Sequence, residues 1–191
     1  MQNFQKILVC LALFIGINPA WAQSVESNIV DNINVCYHYG CKRVGKVELV
    51  GLEWNQITEL FNSIATTPQQ ERQTIAKAIA LMEQLTGKEL GTSNDKAENS
   101  GTGEPGQMDC IDESLNTTEY IRYFAKKGWI KWHQVEDRVS RHPFFFDMHW
   151  TAVIKDRKSS QLYAVDSWFR DNGKEPVIIT LEDWKDKKEE P

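Results

Sequence analysis

The sequence predicts an α+β domain in which helices come first and an antiparallel sheet comes after them. Three observations carry that expectation. Two helical apolar stripes precede residue 90, a third begins near Cys110, and the chain after residue 128 reads as consecutive strands. Between the halves, residues 91–106 (GTSNDKAENSGTGEPG) contain no large apolar residue and read as a loop. The chain beyond residue 106 is too short to be a separate domain, so the loop is not a domain boundary.

The first element is one that folding never uses. Lys6 precedes an apolar run at 7–17 (ILVCLALFIGI), and Ala20-Trp21-Ala22 puts small residues where a signal peptidase reads. The run is shorter than the roughly 20 apolar residues of a membrane span. Residues 1–22 are therefore expected to be a cleaved secretory signal and 23–191 a single domain, periplasmic or secreted, with no membrane anchor after cleavage. In an oxidising compartment close cysteines pair. Cys36 and Cys41 bracket Tyr-His-Tyr-Gly and are expected to form a disulfide, which leaves Cys110 as an odd thiol. His38 between them does not make a zinc pattern, and neither metal nor cofactor is expected.

Residues 23–45 read as an irregular segment clipped by that disulfide, and 47–52 (VELVGL) as a short strand or the lead into a helix. From Glu53, Trp54, Ile57, Leu60, Phe61 and Ile64 recur at helical spacing. Thr67 then reads as an N-cap, with Pro68 in the first turn and Gln70 closing a capping box. Ile75, Ala78, Ile79, Met82 and Leu85 form that helix's buried stripe, and Gly87 its end. A third helix is expected from about Cys110 to Lys127, carried by Ile111, Leu115, Tyr120, Ile121 and Phe124 and closed by Gly128. Strands are expected at 129–139, 144–154 and 162–169, with a fourth at 177–181. The formal net charge of −5 and the lack of a basic block argue against nucleic acid as a partner.

Cysteine attacks as the thiolate, and a helix N-terminus favours that form through its unpaired N–H groups and positive dipole end. Cys110 opens the third helix. A nucleophilic thiol also needs a base, and the base a polar group to orient it. His149 lies in one predicted strand and Asp166 in the next, so a hairpin would set them side by side. His133 and His142 are rival bases; His142 sits in a turn before Pro143, and His133 lacks an acid partner in the following segment. Asp109, Asp112 and Glu113 read as solvated acids favoured at a helix start. The aromatic run at 144–146 reads as core and hairpin.

The segments GQMDCIDES, MHWTAVI and YAVDSWF, in that order, resemble the Cys, His-Trp and Asp blocks of the transglutaminase-like (papain-like) cysteine superfamily, over about residues 106–169. The resemblance implies that Cys110 is the nucleophile, His149 the base and Asp166 the orienting acid. It also implies acyl transfer through a thioester, as peptidase, amidase or transamidase, on a peptide or protein substrate, cell-wall material included. For the oxyanion, the Cys110 N–H is a natural donor, with Gln107, Trp150 or Trp168 as the second. The competing expectation is an exported binding or assembly protein that keeps the fold without catalysis.

Overall fold

Alternating apolar residues make a hairpin of the segment read as irregular. The computed structural model describes residues 31–101, 103–142 and 148–188; the expected signal at 1–22 and the aromatic run at 144–146 lie outside them. Strands β1 (Asp31–Tyr37) and β2 (Arg43–Leu49) pair antiparallel, Ile33 opposite Val47. Ile33, Val35, Val47 and Leu49 are all buried, the period-2 signature of a half-buried ribbon. Its turn is unusual: His38, Tyr39, Gly40 and Cys41 all have positive φ, a conformation that costs most residues energy. Two constraints hold it. The Cys36–Cys41 disulfide closes the loop with Cα atoms 4.7 Å apart. The carboxylate of Asp112 accepts the Tyr39 and Cys41 N–H groups at 2.7 and 2.6 Å.

Helix α1 (Gly51–Asn62) buries Trp54 and Ile57, but it stops before Ile64, which is 82% exposed. The chain there turns to start α2 (Pro68–Leu90), and Thr67 Oγ1 caps that helix by accepting the Gln70 N–H at 3.2 Å. Gln70 Oε1 reaches back to the N–H of Thr66 at 2.8 Å, one residue earlier than a capping box requires. The expected stripe from Ile75 to Leu85 is buried. Gly87 does not end α2; Gly91, at φ 75°, caps it. A Cβ on Gly87 would lie 3.1–3.2 Å from the Asn172 amide and the Ser93 nitrogen, so this glycine serves a close approach inside the helix.

Helix α3 (Cys110–Lys126) comes next, and Gly128 turns the chain out of it at φ 73°. Strands β3 (His133–Arg141), β4 (His149–Asp156), β5 (Leu162–Asp166) and β6 (Val177–Thr180) form one antiparallel sheet in that order, and α4 (Leu181–Lys185), not foreseen from the sequence, ends the described chain. Strand β3 begins later and β5 ends earlier than expected because side chains claim their flanks. Glu71 of α2 accepts the N–H groups of Lys131, Trp132 and His133, which keeps 131–132 out of the sheet. After β5, the Trp168 N–H turns back to Asp166 Oδ1.

The main core joins α2 and α3 to the hairpin and to one face of the sheet through Ile79, Met82, Ile121, Phe124, Ile154 and Val165. A smaller cluster of Val153, Ala164, Leu181 and Trp184 covers the other face. Strand alternation therefore puts His149 with Val153, and Asp166 with Ala164, on the face closed by α4. No helix among the described residues is long and apolar enough to cross a membrane.

Candidate active site

Cys110 is the first residue of α3. Asp109, the N-cap, accepts the N–H groups of Ile111 and Asp112 through its carboxylate, and the Cys110 N–H is not among those it takes. Cys110 is a free, half-buried thiol whose Sγ lies 3.9 Å from the Met148 carbonyl oxygen, a long contact. Met148 is the residue before His149, so β4 brings the imidazole to the same place.

The structure pairs His149 with Asp166, Nε2 to Oδ2 at 2.7 Å, both side chains buried. Asp166 is fixed in turn by the Trp184 indole N–H at 2.7 Å and the Trp168 backbone N–H at 3.2 Å. Rings of Trp168, Phe169 and Trp184 surround the imidazole, with centroids 4.6, 5.2 and 5.6 Å from it. The remaining nitrogen, Nδ1, is buried and has no hydrogen-bond partner at normal distance. It is the imidazole nitrogen that Asp166 does not engage. Burial alone would pull the His149 pKa down, but the hydrogen bond to Asp166 and the interaction with Cys110 outweigh it and raise the value to about 9.

The rival imidazoles are accounted for elsewhere. His133 is buried, with Nδ1 2.9 Å from Glu71 of α2 and Nε2 3.3 Å from Arg72. Its acid lies on an earlier helix, which inspection of the following segment misses. His142 is exposed, against Ser140.

The three proposed second donors have other partners. Gln107 Oε1 accepts from the Lys96 N–H and the Asn99 amide, and Nε2 donates to the Asn94 carbonyl at 2.7 Å. It is the clamp of the 91–106 loop, and its hydrogen bonds give no support to an oxyanion role. The indole of Trp168 donates to the Asn99 carbonyl, and that of Trp150 to the Met148 sulfur. Trp168 packs on the imidazole instead, and Trp150 lies under Arg138, whose guanidinium carbon is 4.9 Å from its ring.

Asp112 and Glu113, expected in solvent, are buried. Asp112 holds the hairpin turn. Glu113 faces Glu83 of α2 and Asp95 of the loop, in a pocket where no lysine or arginine pairs with them among the described residues. Glu83 accepts the Gly173 N–H at 3.0 Å and Asp95 the Met108 N–H at 2.7 Å. Burial, and then mutual repulsion, pushes the Glu113 carboxyl well above its ordinary range; burial takes Glu83 to about 8 and Asp95 to about 6. No three His, Cys, Asp or Glu among the described residues are grouped to hold a metal ion.

These carboxyls fix a pH dependence. Each binds its proton more tightly folded than unfolded, so their contribution to stability is fully present below the ordinary values, 4.5 for the glutamates and 3.8 for Asp95. It falls as pH rises through the raised values of about 6 for Asp95 and 8 for Glu83. A full proton of difference corresponds to about 1.4 kcal/mol per pH unit. Thermal melts should show a lower Tm at pH 8.5 than at pH 5.5, and Glu83→Gln should flatten that slope. A Tm that rises over this interval would contradict the assignment.

No family model, no curated protein and no solved structure matches the chain.

Proposed function

We propose that the chain is an exported, cysteine-dependent acyl-transfer enzyme of transglutaminase-like type, acting on a peptide or protein substrate. The observation that supports it best is the 2.7 Å His149–Asp166 bond, which leaves the buried Nδ1 for the one free cysteine of the described chain. Such a set divides the labour of nucleophile, base and orienting acid.

In this reading His149 takes the thiol proton and Cys110 Sγ attacks the acyl carbon. The oxyanion that forms is met by the Cys110 N–H at the start of α3. His149 then returns the proton to the leaving amine as the C–N bond breaks, which leaves a thioester. Water or an acceptor amine, deprotonated by the same imidazole, attacks the thioester and releases Cys110. The raised pKa of His149, about 9, suits the proton-return step, because the imidazolium persists through neutral pH. Export is part of the same proposal, and the Cys36–Cys41 disulfide is consistent with it.

Alkylation tests the thiol–imidazole partnership without a known substrate. An ordinary thiol is only a few per cent thiolate at pH 7. A paired one is mostly thiolate, though each thiolate is then less nucleophilic. His149→Ala should therefore slow iodoacetamide modification of Cys110 about tenfold at pH 7. His142→Ala, an exposed change, should not. Equal rates in the wild type and both variants would remove His149 as partner and favour a non-catalytic binding or assembly role.

A further inference from the structure

We infer that Arg138, stacked on Trp150 beside Cys110, forms a subsite for a substrate carboxylate, so that the acyl donor is an acidic peptide. The inference rests on the acyl-transfer reading and adds the substrate's charge to it. A bulge in β3 puts the arginine there. Glu136 pairs with Val153 and Val139 with Thr151, so three steps on β3 span two on β4. Such bulges re-aim a side chain. Arg138 turns toward the first turn of α3, where its Nη1 donates to Ser114 Oγ at 2.8 Å, and Ser114 Oγ donates to the Cys110 carbonyl at 2.6 Å. Burial holds the Arg138 pKa below its ordinary value, and the negative charge that Cys110 carries when ionised opposes this only in part.

Beside this arginine lies a cleft of about 230 Å³ between α3 and the bulge, floored by Leu115, Thr118 and Trp150. Two arginines line it, and they differ in one respect. Arg122 is balanced by Glu119 at 2.9 Å and Asp137 at 3.5 Å. Arg138 has no carboxylate at ion-pair distance among the described residues. A guanidinium offers five N–H donors in a planar fork. One bonds Ser114 and the guanidinium carbon sits 4.9 Å from the Trp150 ring centroid, so the other donors suit a carboxylate, the partner that fork fits best. A doubly charged phosphate fits less well, since Glu119 and Asp137 also line the cleft and repel the second charge.

The test compares two probes of equal size on the purified protein. Iodoacetate and iodoacetamide both alkylate Cys110 by the same displacement: the C–S bond forms, the C–I bond breaks and iodide leaves. They differ in carboxylate against amide. Any effect of Arg138 on the thiolate population enters both rates equally and cancels in their ratio. The iodoacetate-to-iodoacetamide ratio should fall about tenfold in Arg138→Met and recover in part in Arg138→Lys. On the unaltered protein, succinate should slow iodoacetamide modification saturably, while chloride at equal ionic strength should not. An unchanged ratio, or in the event that Arg138→Met fails to fold, the absence of succinate protection, would overturn the subsite. The two proposals fail separately. A wild-type rate no faster than that of a free thiol counts against the acyl-transfer reading, and the ratio still decides the subsite.

Discussion

Cys110→Ala should abolish acyl transfer and leave the fold intact. The thiol is half-buried and makes a long 3.9 Å approach to the Met148 carbonyl beside its interaction with His149, so its removal takes little packing away. Alanine is also the best helix former at the opening of α3, and the Asp109 cap does not involve the Cys110 side chain. The melting temperature should stay within a few degrees of wild type, in line with substitutions that break no buried contact. Cys110→Ser should be almost as inactive, because a hydroxyl beside the same imidazole is far harder to ionise than a thiol. The measurement is hydrolysis or transamidation of peptides from an acidic library, read by mass, with thermal melts of each variant alongside. Wild-type turnover by Cys110→Ala would end the enzyme reading at this site.

The features legible in the sequence are those that local chemistry dictates. Helices α2 and α3 were readable because Thr67-Pro68 and the stripe Ile75 to Leu85 act within a few turns of each other, as do Cys110 to Phe124 before Gly128. That His149 and Asp166 would meet near Cys110 was legible because they lie on successive strands and the chain has only 4 histidines to choose from. The losses share a cause, which is distance along the chain. Asp112 and Glu113 stand where acids are normally solvated, and their burial depends on the turn at Tyr39 and on Glu83 of α2. Gly87 looked like a helix stop because its reason to be glycine, Asn172, is remote. Trp184 donates to Asp166 from a short helix at the far end of the chain, and Arg138 owes its direction to a bulge that only pairing with β4 creates. The alternation Asn32-Ile33-Asn34-Val35 is a strand signal, but it is too short to decide the element until β2 is set beside it.

Asp166→Asn should cut the acyl-transfer rate severely and also move its pH profile, which a merely structural residue would not do. Asp166 Oδ2 accepts two donors, His149 Nε2 and the Trp184 indole, while Oδ1 accepts the Trp168 N–H. An asparagine cannot satisfy all three. Whichever way its amide is turned, an NH₂ group faces an N–H, and a buried mismatch of that kind costs about 1–3 kcal/mol. The imidazole is then left in the wrong tautomer or the wrong place, and in a comparable triad loss of the acid costs on the order of 10⁴ in rate. The pH profile carries the sharper information. His149 stays protonated up to about 9 because Asp166 and Cys110 outweigh the burial that would otherwise lower it. Without the carboxylate, burial acts against a weaker opposing attraction, so the imidazolium deprotonates earlier. The alkaline limb of kcat/KM, which reports loss of the proton destined for the leaving amine, should fall from near pH 9 by more than about one unit. Iodoacetamide alkylation needs no such proton and should show no descending limb in either protein. A residual activity in Asp166→Asn whose alkaline limb stayed near pH 9 would mean that another group sets it, and the assignment of Asp166 as the partner of His149 in catalysis would fail.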